Sequence, residues 1–196
     1  MTALVLASQS AVRGRLLAAA GVRFEVVASD VDEPSEKTAL SDSTPRRVAE
    51  HLADAKAADV SCRRPEALVI GADQTLELDG QLFDKAQTLE EGVERLRILR
   101  GRTHLLHAAL ACARGGEVTW RRLETARLAM RRFSDEFLDC YAARNPDALL
   151  RSVGAYELEG EGAQLFEAIE GDYFTILGLP LLPLLGYLRS QGELAV

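Results

Sequence analysis

Cysteine, histidine and lysine are all scarce in this chain, three of each among 196 residues, and each scarcity removes a class of chemistry. Cys62, Cys112 and Cys140 lie far apart, odd in number and without a C-x-x-C pair. They read as reduced thiols, neither a disulfide framework nor a zinc site. His51, His104 and His107 form no i, i+4 pair with a carboxylate, so no helical metal motif is expected. No apolar run reaches the ~20 residues that span a bilayer, and no basic leader precedes the first strand signal, so the cytoplasm is expected. A net charge of −7 leaves no broad basic surface, which argues against nucleic acid or an anionic membrane as partner. Neither G-x-x-x-x-G-K-[ST] nor G-x-G-x-x-G after a strand occurs, which excludes a P-loop enzyme and a dinucleotide fingerprint. Of 23 basic residues only Lys37, Lys56 and Lys85 are lysines. A lysine kept against that arginine background raises the question of what a compact ammonium does there.

What is present is ordinary globular composition, 47% hydrophobic and 27% charged, enough for one domain or one domain with two lobes. Strand and helix signals alternate through the first half, predicting an α/β fold. Residues 3–7 read as a buried strand, and Ser10 caps a helix over 11–20 that Gly21 stops. A strand over 24–28 precedes an acidic loop, 29–34. Thr44 and Pro45 open a helix over 45–60, and 67–70 is a buried strand leading into Gly71-Ala72-Asp73. Asp79-Gly80 predicts a two-residue hairpin, and Thr88 caps a helix over 89–99. A long hairpin over 105–113 and 118–130 turns at Gly115-Gly116. Ser134 caps a helix that ends at Asn145-Pro146. The remainder reads as a glycine-rich loop over 154–162, short strands over 165–169 and 174–177, and a final helix over 181–190.

Several residues carry candidate chemistry. Ser8, Ser10 and Arg13 lie where a strand breaks into a helix start, a place suited to an anion; the alternative is an ordinary capped helix with solvated arginines. Asp73 follows the apolar run Val69-Ile70-Gly71-Ala72, at a strand's C-terminal end, where open α/β sheets gather ligands; the alternative is a loop cap. A regular hairpin would bring Lys85 opposite Gln74, although strict alternation sends Asp73 and Gln74 to opposite faces. Asp30, Asp32 and Glu33 offer oxygen ligands of the kind Mg²⁺ takes, or a solvated acidic loop. Lys56 is either a surface lysine or a point charge reaching inward for phosphate. The 154–162 stretch is a mobile flap, a base-reading loop or a plain connection.

Taken in order, Leu6-Ala-Ser-Gln-Ser10 with Arg13, Val31-Asp-Glu33, Ile70-Gly-Ala-Asp-Gln74 followed by Lys85, and Leu99-Arg-Gly-Arg-Thr-His104 resemble the Maf family. Gly154-Ala-Tyr156, Glu159-Gly160 and Gly178-Leu-Pro180 continue the match, which covers essentially the whole chain. The resemblance implies one catalytic domain over 1–196, with an elongated two-lobed mixed sheet flanked by helices and a cleft between the lobes. That fold is similar to the inosine triphosphate pyrophosphatases. It implies cleavage of nucleoside triphosphates to a monophosphate and pyrophosphate with Mg²⁺ or Mn²⁺, and a homodimer. By this resemblance Ser8, Ser10 and Arg13 serve the phosphate end. Asp73 is the proton acceptor and, with Glu33, a metal position; Lys56 and Lys85 lie near the triphosphate. Val12, Gln74 and Glu159 fall where the family sets base preference. Ala11-Val12 replaces a common Pro-Arg, Ala86 follows Lys85 where proline is common, and Gln74 stands for threonine. Gln74 and Glu159 are similar to the subgroup that prefers 7-methyl-GTP, whereas Val12 lacks that subgroup's aromatic residue. The alternatives are a dTTP/UTP pyrophosphatase and a non-catalytic nucleotide-binding regulator of cell division.

Overall fold

The computed structural model describes residues 3–195, so both ends of the expected 1–196 span lie outside the described residues. Among the described residues seven strands form a mixed sheet in the order β2 (Glu25–Val26), β1 (Leu4–Ala7), β3 (Leu68–Leu78), β5 (Thr103–Arg114), β6 (Glu117–Met130), β7 (Phe166–Glu170), with β4 (Gln81–Phe83) paired to β3. This bears out the α/β reading. The chain divides into two compact units, the first holding residues up to Gln74, His107–Glu124 and the chain from Asp172. The second holds Thr75–Leu106 and Thr125–Gly171. The long strands β3 (Leu68–Leu78), β5 (Thr103–Arg114) and β6 (Glu117–Met130) contribute to both.

In the first unit β1 (Leu4–Ala7) pairs in parallel with β2 (Glu25–Val26) on one side and with β3 on the other, Ala7 opposite Gly71. Side chains alternate across this sheet as a pleat demands. Leu6, Ile70 and Leu110 pack with Leu17 of α1 (Ala11–Ala19) and with Leu184 and Leu188 of α8 (Leu181–Ser190). Val5, Ala7 and Val69 pack with Val60 of α3 (Pro45–Arg63).

Along α3, Ala49, Ala53 and Ala57 recur every four residues and meet Ala109, Ala111 and Ala113 of β5. Methyl against methyl lets this helix sit unusually close to the sheet. Gly71 completes the approach, since a Cβ there would collide with the Ala53 carbonyl oxygen and lie 2.7 Å from the Ala57 nitrogen. Both obstacles are backbone and cannot swing aside. Gly71→Ala is therefore expected to destabilise the protein by at least the ~1–3 kcal/mol of an overpacked core, measured as a fall in the urea midpoint. An unchanged midpoint would mean that α3 is not held at this distance.

In the second unit Asp79 and Gly80 adopt φ of 52° and 81°, and Leu78 pairs with Gln81 of β4 (Gln81–Phe83), as the two-residue hairpin requires. Helices α4 (Leu89–Leu99), α5 (Asp135–Arg144) and α6 (Pro146–Arg151) contact one another, and β7 (Phe166–Glu170) pairs with β6.

The structure corrects four local expectations. The acidic loop ends early, because Asp32 accepts from the Ser35 N–H at 3.3 Å and, with Pro34 in the first turn, starts α2 (Glu33–Ala39). Pro146 opens a helix besides ending one. Residues 174–177 are not a strand: Asp172 accepts from the Thr175 N–H at 2.9 Å and caps the short helix α7 (Tyr173–Ile176), a local bond that overrides the β preference of those side chains. The strand expected over 24–28 shrinks to two exposed residues. The three cysteines are free, and burial pushes the Cys112 thiol up to about 12, so it is an inert core group. No helix among the described residues is long and apolar enough to cross a membrane.

Candidate active site

The site in the first unit centres on Lys56. Its place on α3, three residues after Ala53 and one before Ala57, turns it toward the sheet, and it is 6% exposed. The inward reading of Lys56 holds. Asp73 lies on the same face of β3 as Gly71, two residues on, so the close helix–sheet approach that Gly71 permits delivers the ammonium to the carboxylate. Lys56 Nζ donates to Asp73 Oδ1 at 2.7 Å and lies 2.7 Å from Glu33 Oε1. Asp73 is 7% exposed, whereas 42% of the Glu33 side chain meets solvent.

The strand expected to end at Asp73 instead continues, as β3, to Leu78. The carboxylate is presented sideways from the middle of a strand, held by packing and not by a loop. The other acidic candidates take different work. Asp30 receives its constraint from α3, its N–H donating to Asp59 Oδ2 at 2.9 Å, and Asp32 is spent capping α2. Of the three, Glu33 turns to the lysine because it is the first residue of the helix that Asp32 starts.

Arg13 is neither a solvated arginine nor simply a phosphate anchor. It is buried, its Nε donating to the Gly178 carbonyl at 2.7 Å. Nη1 donates to the Ala72 carbonyl at 2.9 Å and to Ser8 Oγ at 3.1 Å. Burial lowers its pKa, and the charges of Asp73 and Glu33 oppose that shift, which puts the guanidinium within electrostatic reach of both carboxylates. It ties the Ser8–Ser10 turn to β3 and to the Gly178-Leu179-Pro180 segment. Ser10 caps α1, accepting from the Arg13 N–H at 3.5 Å, and its own N–H donates to Ser8 Oγ at 3.3 Å. Val12 is half-buried in the first turn of α1.

Gln74 points away from Asp73, as alternation requires. Its amide donates to the carbonyls of Thr175 and Ile176, each at 3.0 Å, so both N–H bonds go to backbone. Lys85 and Glu159 are exposed residues of the second unit. The β3–β4 ladder ends at Leu76↔Phe83, so pairing stops before Lys85.

The formal charges of Glu33, Asp73, Lys56 and Arg13 cancel. A triphosphate brings about four negative charges, so this quartet alone does not neutralise it. Two carboxylate oxygens converge on the Lys56 ammonium, and two carboxylates are the donor type and number that Mg²⁺ uses when substrate phosphates complete its shell. The fit is to a hard cation shared with substrate. Among the described residues no cluster of three or more His, Cys, Asp or Glu could hold a metal by itself.

The family model described as Maf-like protein matches residues 3–191. The chain is 56% identical to a nucleoside triphosphate pyrophosphatase of Caulobacter vibrioides, covering 100% of this chain and 99% of that one. It is 50% identical to another of that name from Maricaulis maris, with 99% of each covered. A 7-methyl-GTP pyrophosphatase of Rhizobium meliloti is 49% identical over 97% of each. The chain belongs to the Maf-like protein family.

Proposed function

We propose that this Maf-like protein is a hydrolase that cleaves nucleoside triphosphates between the α- and β-phosphates, giving a nucleoside monophosphate and pyrophosphate. The observation that carries the reading is the buried Lys56 bonded to Asp73 and Glu33, a paired charge set whose desolvation makes it a costly choice for structure alone. Relatives named for the same activity over their full length support it.

Asp73 spends Oδ1 on Lys56 and keeps Oδ2 to orient a water and accept its proton. Lys56 has three N–H donors, and after Asp73 and Glu33 one is left for a phosphate oxygen. Water adds to phosphorus as the anhydride bond breaks and pyrophosphate leaves, so charge grows on the leaving oxygens. Glu33 and Asp73 would hold Mg²⁺ or Mn²⁺, which when bound supplies Lewis-acid stabilisation of that charge. Lys85 adds a further positive charge by family resemblance, and Ser8 and Ser10 present hydroxyls and N–H groups at the start of α1. The enzyme is further taken to be a cytoplasmic homodimer.

For base preference the reading is 7-methyl-GTP, the substrate named for two relatives near 50% identity. An ionised Glu159 can only accept hydrogen bonds, which suits the N1–H and amino donors of guanine and attracts a ring made cationic by methylation. Opposed to pyrimidine carbonyls it would leave acceptors unpaired, at ~1–3 kcal/mol per buried group.

Two measurements test the proposal. Chromatography of a turnover reaction should show monophosphate and pyrophosphate, and only in the presence of Mg²⁺ or Mn²⁺. A diphosphate with orthophosphate would sink the reaction assignment, and no turnover of any nucleotide would favour a binding regulator. Across dTTP, UTP, CTP, GTP and 7-methyl-GTP, kcat/KM should be highest for the last, and Glu159→Gln should narrow the spread. A preference for dTTP or UTP that this substitution leaves unmoved would reject the role given to Glu159.

A further inference from the structure

In the second unit, the glycine-rich stretch that carries Glu159 is a hydrogen-bonded turn with a buried root. Tyr156 is its root. The backbone of Tyr156 is held at both ends by one hydroxyl: Ser152 Oγ accepts from the Tyr156 N–H at 2.9 Å and donates to the Tyr156 carbonyl at 2.6 Å. Its ring is 4% exposed and lies edge-on to Phe166, with ring centres 4.8 Å apart. Gly154 leaves the room, since a Cβ there would lie 2.7 Å from the ring carbon that bears the hydroxyl.

The buried end of Tyr156 finds a specific partner on β5. The Tyr156 hydroxyl and His104 Nε2 lie 2.7 Å apart, and His104 is 1% exposed. Burial pushes His104 down to about 4, so the imidazole stays neutral in ordinary buffers. A neutral ring trades one hydrogen bond with a phenol and demands no counter-ion. His104 Nδ1 is buried without a partner, so the Tyr156 bond is the ring's one polar tie.

From this root the chain makes a turn over residues 157–160, closed by the Gly160 N–H donating to the Glu157 carbonyl at 3.2 Å. Glu159 is the third residue of that turn and is exposed. Just beyond, Glu161 accepts from Arg144 Nε at 2.9 Å and from Asn145 Nδ2 at 3.2 Å, tying the far side of the turn to the end of α5. Glu159 thus stands between a buried anchor three residues before it and a surface anchor two residues after it. Of the two, the buried one sets the orientation, because exposed ion pairs hold little.

We infer that Tyr156 and His104 are a positioning pair for base discrimination, fixing the direction in which the Glu159 turn presents its carboxylate. Neither residue touches the nucleotide. The inference rests on the reading of Glu159 as the base-facing carboxylate. Hydrogen-bond discrimination depends on donor–acceptor angle, so a turn that can rotate loses selectivity before it loses turnover.

The experiment compares Tyr156→Phe, His104→Gln and Glu159→Gln with the parent, measuring kcat and KM for 7-methyl-GTP and UTP together with amide hydrogen exchange over residues 157–163. Tyr156→Phe keeps the ring packing and removes only the hydroxyl; His104→Gln breaks the same bond from the other side. Each is expected to cut the ratio of kcat/KM for 7-methyl-GTP over UTP by about tenfold, to leave kcat for UTP within about twofold and to speed exchange in the turn. The double variant should lose no more than either single one, since both break one bond. A purely structural pair would instead lower activity on both nucleotides alike, and that outcome overturns the inference. So does an unchanged ratio in both positioning variants while Glu159→Gln shifts it. If Glu159→Gln leaves the ratio unmoved, the base-reading role falls first and the positioning role with it.

Discussion

Asp73→Asn is expected to lower kcat by about 10²–10⁴-fold, the usual worth of a positioned general base, while nucleotide binding stays nearly intact. The substitution keeps size and shape at a site that is 7% exposed, and asparagine Oδ1 can still accept from Lys56. What it removes is the second oxygen's ability to take a proton, and with it one negative charge near the triphosphate. Binding should hold or tighten for the second reason. The check is a pre-steady-state measurement of nucleotide affinity alongside kcat under saturating metal. If Asp73→Asn retains parental kcat, the base lies elsewhere, and Glu33, which faces the same lysine, is the next residue to test. A proportionate loss of affinity and rate would point to a disturbed Lys56 instead of a missing base.

Lys56→Met should be the most damaging single change in the first unit, because it strikes stability and turnover together. Removing one partner of a buried ion pair costs about 3–5 kcal/mol, most of it from the charge left behind. Here the charge left behind is Asp73, with Glu33 beside it. Glu33 is 42% exposed and can turn to solvent, so the lower end of that range is expected. The fall in the urea midpoint measures it. Lys56→Arg should not restore activity, since a longer, planar guanidinium does not reproduce the single compact donor that meets both carboxylates at 2.7 Å. Mn²⁺ without nucleotide should raise the urea midpoint of Lys56→Met more than that of the parent, because two carboxylates aimed at one point are then free to accept a cation. No shift in either protein would mean that the carboxylates do not form a cation site.

Much of the local architecture was legible because its signals are local. Ser10, Thr44, Thr88 and Ser134 each cap a helix in the structure, and Asp79-Gly80 turns where two residues with positive φ are needed. The misreading at residues 174–177 has the same root. In place of the strand expected there, Asp172 caps α7 across three residues. The start of α2 carried a comparable signal in Asp32 and Pro34, hidden inside what read as an acidic run.

The candidate site was legible as a set of residue types and not as an arrangement. Asp73, Glu33, Lys56 and Arg13 stand in recognisable order along the chain, and two of three lysines fall on family positions, because chemistry on phosphate needs carboxylates and cations whatever the scaffold. The sequence by itself therefore determined the caps and turns and which ionisable groups to watch, and through its resemblance to the Maf family it implied the reaction class. Only the tertiary structure decided what each group touches: that Lys56 points inward to bridge two carboxylates, that Arg13 is committed to Ser8 and two backbone carbonyls, and that Tyr156 roots the Glu159 turn on His104. The reason is distance along the chain. A cap is settled by atoms three residues apart, whereas Lys56 meets Asp73 only because three alanines and a glycine, contributed by a helix and a strand, let their backbones approach.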